Sequence, residues 1–177
     1  MSLPHALLTS LAERPGSGSE LASRFDRSIG YFWQATHQQI YRELARLEAA
    51  GWVEAAPVEG ARGGKRRFSI LPPGREELRR WINERQDPPA IRDELMVRIR
   101  AEAVVGPTDL AEELTAVAER HRGKLAAYLE IEARDFPQEP ASPERRLQHL
   151  VLKAGMAFER HRIAFCEDAL VILRPPL

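Results

Sequence analysis

The sequence predicts a mainly α-helical protein in two parts, and three observations support this prediction. Apolar residues recur at helical spacing along most of the 177 residues. One pair of short strands, 52–58 and 65–71, flanks a turn that contains glycine. A proline-containing break at 87–89 separates this hairpin and its helices from a remainder with helical patterns alone. We therefore expect one domain over 1–87 and an all-helical domain over 88–177.

The first two helices are predicted from an apolar stripe and a capping pattern. The first covers about residues 3–13, and Pro15-Gly16 ends it. Ser17 and Glu20 have the spacing of a capping box, so the second helix begins there. We expect these side chains of the two helices to point inward: Leu3, Leu7, Leu8, Leu11, Leu21, Ala22 and Phe25.

The segment 36–50 is the third predicted helix, with Thr36 as its N-cap and Gly51 as the left-handed residue after its end. Its inward face carries Ile40, Leu44 and Leu47. Its opposite face carries Gln38, Gln39, Arg42 and Arg46. Glutamine can pair with adenine and arginine with guanine or phosphate, and a helix fits the major groove of DNA. The segment is a candidate recognition helix, although alone it also fits a surface helix with a solvated polar face.

The hairpin, which we call the wing, follows this helix directly. Phe68 and Ile70 alternate toward a core, and four of the six residues from 62 to 67 are basic: Arg62, Lys65, Arg66 and Arg67. Long cations around a flexible tip can follow DNA phosphates. The alternative is a charge cluster that protects a strand edge. Three helices followed by two strands is the order of a winged helix-turn-helix, so we predict that fold with a two-stranded wing.

Charge and composition bound the functional class. The formal net charge is zero; residues 1–87 hold 13 basic and 11 acidic side chains, and 88–177 hold 13 and 15. Positive charge concentrates at the wing. We therefore expect each subunit to bind DNA with modest, salt-sensitive affinity, and two subunits to be needed for useful specificity. No apolar run is long enough for a bilayer and no secretion signal is present, so we expect a cytoplasmic protein without membrane partners. The single cysteine, Cys166, is expected to be buried, with an exposed redox sensor as the alternative.

Four more helices are predicted, over about 75–85, 92–103, 109–134 and 143–172. The third of these carries an apolar stripe at Leu110, Leu114, Val117, His121, Leu125 and Tyr128. The fourth carries a stripe at Leu147, Leu150, Val151, Ala154, Phe158, Phe165 and Ala169. These stripes exceed what one small helical domain covers, which predicts that a second subunit packs there and that this domain dimerises. A self-contained antiparallel bundle is the alternative.

Enzymatic sites are not predicted. The tetrapeptide Glu119-Arg120-His121-Arg122 recurs at 159–162, with His149 nearby, but neither copy places two strong metal ligands on one helical face. We interpret both copies as solvated charged faces with a boundary histidine. No phosphate-binding glycine loop or nucleophile elbow occurs, so we expect no enzyme, cofactor or metal. A winged helix that binds only protein remains the alternative, since fold does not fix function, but the basic wing argues against it.

The order of these segments resembles the PadR family of transcriptional regulators, in its longer form with a virulence-activator-like helical C-terminal domain. The resemblance spans nearly the whole chain. It is carried by Ser17-Gly18 with Glu20-Leu21, Phe32-Trp33, Gln39-Ile40-Tyr41, Leu44, Leu47-Glu48, Gly51, and Gly74 with Leu78 and Trp81. Phe68 stands where the family usually has tyrosine, and Pro73 where threonine often precedes the glycine.

The resemblance implies a homodimeric regulator, in most members a repressor, whose C-terminal helices and first helix meet across a two-fold axis. Two recognition helices would then require half-sites roughly 34 Å apart on a near-palindromic operator. By position Gln39 and Tyr41 would face DNA, although Tyr41 also fits a packed role. The expected DNA contacts are Thr36, Gln38, Gln39, Tyr41, Arg42, Arg46, Arg62, Lys65, Arg66 and Arg67.

A small aromatic effector is the third expected partner, beside double-stranded DNA and a second copy of the chain. Some members of the family answer to phenolic or other small aromatic molecules. The aromatic side chains that could line such a site are Trp33, Trp81, Tyr128 and Phe158, together with Phe165. Ordinary core packing is the alternative for each of them.

Overall fold

The computed structural model describes residues 3–26, 35–58, 65–85, 87, 92–138 and 142–173. The chain forms two compact units, Met1–Pro88 and Pro89–Leu177. In chain order the first unit contains α1 (Leu3–Glu13), β1 (Gly16–Ser17), α2 (Gly18–Asp26), α3 (His37–Ala49), β2 (Val53–Pro57), β3 (Arg66–Ile70) and α4 (Pro72–Ile82). The second contains α5 (Glu94–Val105), α6 (Leu110–Asp135) and α7 (Pro143–Leu173).

The wing strands pair as the sequence predicts, with Val53 opposite Ile70 and Pro57 opposite Arg66. The described residues add a third strand that the sequence analysis did not predict. Gly16 of β1 pairs antiparallel with Phe68, so the order across the sheet is β1-β3-β2. Two residues are too few to show a strand period, which is why β1 has no signal of its own. Its effect is to attach the base of the wing to the start of α2.

The core of the first unit lies between α1, α2, α3 and the sheet. The three α3 residues that were predicted to point inward, Ile40, Leu44 and Leu47, are at most 2% exposed. Around them lie the buried side chains of Leu7, Leu8, Leu11, Leu21, Ala22, Phe25, Val53 and Phe68. Burial of a large aliphatic side chain contributes about 1.5–3 kcal/mol, so this cluster fixes which face of α3 remains outside.

Local signals place both ends of α3. Thr36 Oγ1 accepts the Gln39 backbone N–H at 3.2 Å, and Gln39 Oε1 accepts the Thr36 backbone N–H at 2.8 Å. Gly51 follows the helix with φ 70, a left-handed conformation that favours glycine. The predicted caps are confirmed, and so is the reciprocal pair at α2. There the Ser17 backbone N–H donates to Glu20 Oε2 at 2.9 Å, a hydrogen bond that lowers the pKa of Glu20.

The helix after the wing begins earlier than predicted, at Pro72 rather than at residue 75, and it ends at Ile82. The sequence predicts that the segment 72–74 ends the second strand and opens this helix at Arg75. Proline is well suited to the first helical turn, where its missing N–H needs no partner, and Leu71 is the N-cap residue.

In the second unit α6 packs along α7 and α5 packs on α6. The predicted α6 stripe is buried at Leu110, Leu114, Val117 and Tyr128. Of the predicted α7 stripe, Ala169 is buried and Phe165 packs partly buried against the core, but over the rest of its length α7 turns a different face inward. That face consists of His149, Met156, Glu159, Cys166 and Ala169. Five members of the predicted stripe stay exposed, Ala154 and four large side chains: Leu147 65%, Leu150 61%, Val151 49% and Phe158 57%.

The α7 face was missed because two of its residues are polar and find partners on α6. The buried Glu159 pairs through Oε2 with His121 Nδ1, and His149 Nε2 lies 2.6 Å from Glu132 Oε1. The interpretation of the repeated tetrapeptide as solvated faces therefore holds for Glu119, Arg120 and Arg122, which are exposed, but not for His121 and Glu159, which pair between the helices. A buried acid–histidine pair is tolerated when both partners are present. A search for apolar residues at helical spacing does not detect such a pair.

Three further expectations concern the burial of Cys166, membrane-spanning helices and metal sites. Cys166 is fully buried, as predicted, and burial raises the pKa of its thiol. No helix in the described ranges combines the length and apolarity that crossing a bilayer requires. Within the same ranges, no three histidine, cysteine or acidic side chains come together as a metal site would need.

Candidate nucleic-acid interface

The outer face of α3 presents a row of long polar side chains. Gln38, Arg42 and Arg46 are all exposed and follow one another at four-residue spacing. Arg46 Nη1 lies 3.4 Å from Glu43 Oε2, an exposed pair of small energetic weight. The row is available to base edges and phosphates because Ile40, Leu44 and Leu47 hold the opposite face against the core.

The first turn of α3 is more restrained than this row. The capping box holds the side chains of Thr36 and Gln39, so the Gln39 amide has a fixed orientation at the helix start. Tyr41 is 49% exposed. Its ring lies against Gly18, where a Cβ atom would come within 2.2 Å of Tyr41 Cε1. Tyr41 therefore packs on the start of α2 and also keeps a solvent-facing edge.

The wing cations that the structure describes, Lys65, Arg66 and Arg67, lie at the start of β3. Lys65 Nζ lies 3.4 Å from Glu20 Oε1 on α2, and Arg67 Nη2 donates to the Pro15 carbonyl at 3.4 Å. Arg66 is held by the carboxylate of Glu48 on α3. The fourth predicted wing cation, Arg62, lies outside the described residues. Recognition helix and basic wing thus belong to one unit, and three wing cations reach back toward α1, α2 or α3.

The residues predicted to sense an effector have separate surroundings. Trp81 of α4 stacks on His5, with ring centroids 4.5 Å apart and planes 5° apart. Tyr128 of α6 is buried beside Gly155, whereas Phe158 of α7 is exposed and meets the His121 ring edge at 6.3 Å. Trp33 lies outside the described residues.

A carboxylate anchors the Trp81–His5 stack. Glu77 Oε1 lies 3.0 Å from His5 Nε2, and the same carboxylate accepts two hydrogen bonds from Arg80. The hydrogen bonds from Arg80 first, and that from His5 second, lower the pKa of Glu77 to about 2. The stacked rings of His5 and Trp81 therefore hold α1 against α4.

Both parts of the chain match known domains. The PadR-like transcriptional regulator family matches residues 7–80, and the virulence activator alpha C-terminal family matches residues 91–174. A probable transcriptional regulator of Mycobacterium tuberculosis is 40% identical over 180 residues, which cover 95% of each chain. The chain belongs to the PadR-like family. It is accordingly a transcriptional regulator rather than an enzyme.

Solved structures of PadR-like proteins share the whole fold. The Vibrio cholerae virulence activator AphA superimposes with a TM-score of 0.81 at 32% identity, covering 97% of this chain and 98% of AphA. Bacillus subtilis PadR in complex with operator DNA also has a TM-score of 0.81, at 23% identity over 96% of this chain and 97% of PadR. At that identity the second likeness shows the fold alone.

Sequence reasoning did not find the acidic and small residues of this PadR-like interface. Glu20 and Glu48 hold wing cations, and Gly18 leaves the space that the Tyr41 ring occupies. Glu20 was singled out for its helix cap, which uses its other oxygen, and Gly18, Glu20 and Glu48 were named as carriers of the family resemblance, but none of them was given a role at this surface. No spacing signal links Glu48 to a residue 18 positions away on a different element.

Proposed function

We propose that this PadR-like protein is a homodimeric repressor that binds a near-palindromic operator with one α3 helix per subunit in the major groove. The observation that carries the proposal is the exposed row of Gln38, Arg42 and Arg46 on a helix whose other face is anchored in the core. A row of this kind has the donors and acceptors that base edges require. Two copies related by a two-fold axis would read half-sites roughly 34 Å apart.

The remaining predicted contacts surround this row. Thr36, Gln39 and Tyr41 lie in the first turns of α3, where restrained polar groups can set the depth and register of the helix against the sugar-phosphate backbone. Lys65 and Arg67 supply phosphate contacts from the wing, because each is exposed and, within the described part of the chain, is held by a single 3.4 Å contact.

The dimer is proposed to form through the exposed apolar face of α7. Leu147, Leu150, Val151 and Phe158 are each between 49% and 65% exposed. Apolar side chains clustered along one helix favour a partner surface, and a second copy is the partner that the operator geometry needs. Replacement of Leu150 by glutamate should shift the molar mass measured by light scattering from dimer to monomer. Replacement of the similarly exposed Leu129 of α6 is the control.

Repression and release by a small aromatic effector complete the proposal. A Bacillus subtilis relative, 25% identical over 177 residues, is described as the negative transcriptional regulator PadR, and its structure with p-coumaric acid is known. The Vibrio cholerae neighbour is described as a virulence activator. Effector binding stays a prediction for Trp33, Trp81, Tyr128 and Phe158, of which the first two belong to the first unit and the last two to the second. The effector would shift the population of dimers between α3 separations that fit the operator and separations that do not.

The decisive experiment measures fluorescence anisotropy of labelled duplex DNA from upstream of the protein's own gene, with excess unrelated DNA, at several salt concentrations. Specific binding should resist the competitor, weaken steeply with salt and be weakened by about 1–3 kcal/mol in Arg42→Ala. Arg100→Ala on α5 is the control. Binding no tighter than to unrelated DNA would favour a protein partner for the winged helix instead.

Two further measurements test whether the protein represses or activates transcription and whether an aromatic effector weakens its binding to the operator. A reporter gene behind the same DNA should be expressed less when the protein is present; higher expression would make it an activator. Addition of p-coumaric acid and related aromatic acids should raise the measured Kd for the operator. Phe158→Ala should blunt that rise while light scattering still shows a dimer, which separates effector binding from the dimer face. If none of these acids changes the Kd, the effector assignment is wrong.

A further inference from the structure

The side chain of Arg66 is held more tightly than the other cations of the wing. Arg66 Nη1 donates to Glu48 Oε2 at 3.0 Å, and Nη2 donates both to Glu48 Oε1 and to the Ala55 carbonyl at 3.2 Å. Three contacts thus engage a guanidinium that has five N–H donors. A two-pronged arginine–carboxylate contact fixes orientation as well as distance.

Lys65 and Arg67 differ from Arg66 in this respect. Among the residues that the structure describes, each side chain makes one contact of 3.4 Å, Lys65 with Glu20 and Arg67 with the Pro15 carbonyl. Single contacts between exposed groups contribute little free energy, so a DNA phosphate can replace them easily. For Arg66 a phosphate would have to displace both prongs and leave Glu48 without its partner.

The contact between Glu48 and Arg66 joins α3 to the wing. Glu48 lies in the last turn of α3, the helix that carries Gln38 and Arg42, whereas Arg66 is the first residue of β3. The pair therefore connects the helix proposed to read bases to the strand that leads out of the wing tip. Binding sites need their contacting groups held within a fraction of an ångström to be effective, and this pair controls the distance between two of them.

We propose that Arg66 and Glu48 form a clamp that positions the wing relative to α3, so that Arg66 acts as a positioning residue and the phosphate contacts of the wing come from Lys65 and Arg67. The proposal rests on the operator binding proposed above. It changes the role of Arg66 from DNA contact to internal support. It also makes Glu48, an acidic residue at a DNA-binding surface, favourable for DNA binding.

A charge swap distinguishes a clamp from a phosphate contact. The variants are R66E, E48R and the double variant E48R/R66E, with K65E, E20K and E20K/K65E as the matched set for a pair that is not a clamp. Kd is measured by anisotropy on the upstream duplex and on a scrambled duplex across salt. Thermal unfolding monitored by circular dichroism checks that every variant is folded.

The clamp predicts that R66E and E48R each weaken operator binding about tenfold or more, and that the double variant returns to within about threefold of wild type with an unchanged salt slope. The Lys65 set should show no such rescue, because glutamate at 65 would face a phosphate. R66K keeps the charge but loses the two-pronged geometry, so it should weaken operator binding more than scrambled binding.

Three results would overturn the clamp. In the first, the double variant stays as weak as R66E, which would place Arg66 on a phosphate. In the second, E48R or E48Q binds more tightly than wild type, which would make Glu48 a counter-ion that masks Arg66. In the third, R66K binds like wild type. A wild type that does not discriminate the upstream duplex would instead refute the proposed operator. Rescue or its absence would then be measured on non-specific binding at low salt, and absence would again overturn the clamp.

Discussion

Replacing Gly74 by alanine tests how the base of the wing is packed. Gly74 lies in the first turn of α4, and a Cβ atom there would come within 2.4 Å of the Trp52 backbone oxygen and 3.0 Å of Ile70 Cγ1. The oxygen cannot move freely, because it also accepts the Leu71 N–H at 2.9 Å. Non-bonded heavy atoms attract best at about 3.5–4.0 Å, so the added atom would be more than about 1 Å too close.

Two effects of opposite sign compete at this position. Alanine is favoured over glycine inside a helix by up to about 1 kcal/mol. Forcing a methyl group into a packed site costs about 1–3 kcal/mol, and the upper half of that range applies where the obstacle is backbone. We expect Gly74→Ala to destabilise the first unit by about 1–2 kcal/mol. Gly123→Ala in α6 is the control, because a Cβ atom there has open space within 4 Å, and it should stabilise the second unit by about 0.5–1 kcal/mol.

The distribution of tryptophan allows the two units to be followed separately. All three tryptophans, Trp33, Trp52 and Trp81, precede residue 89, so tryptophan fluorescence reports unfolding of the first unit. With a urea m-value of about 1–3 kcal/mol/M, a loss of about 1–2 kcal/mol in Gly74→Ala should lower the fluorescence midpoint by about 0.3–2 M. Gly123→Ala should raise the midpoint followed by circular dichroism at the second transition. An unchanged or raised fluorescence midpoint in Gly74→Ala would refute the packing argument.

Three other predictions follow from single side chains. Arg42→Ala should cost about 1–3 kcal/mol of operator affinity and relax the preference at one base position, measured on single-base operator variants; an equal loss on all of them would contradict a base contact. His121→Leu should destabilise the second unit by about 3 kcal/mol in urea unfolding, because it leaves the Glu159 carboxylate buried without a partner, while the double change of both residues to leucine should be nearly neutral. A single change no worse than the double would disprove this account. Hydrogen bonds from Arg80, and next from His5, lower the pKa of Glu77 from its usual 4.5 to about 2, so the stabilisation is present above about pH 4.5 and is lost as the pH falls toward 2. Glu77→Gln should flatten the pH dependence of the fluorescence midpoint between pH 4.5 and 2, and an unaltered slope would count against the pairing.

The sequence by itself determined the features that depend on neighbours three or four residues apart. The N-cap at Thr36, the left-handed Gly51 and the inward row of α3 all follow from helix geometry within one segment. So does the outward row of Gln38, Arg42 and Arg46, because the burial of one helical face fixes the other. The order of elements and the charge of the wing were also predictable, since both are read directly along the chain.

Tertiary structure alone decided which distant residues meet. The two-residue strand β1 exists only because β3 lies beside it, since two residues cannot form a strand alone. The buried face of α7 depends on acidic and histidine partners supplied by α6, 38 residues away for His121 and Glu159. The Arg66–Glu48 pair likewise joins a strand to a helix. Hydrogen bonds and ion pairs act over a few ångströms in space. Their partners have no fixed spacing along the chain, so these contacts cannot be predicted from sequence periodicity.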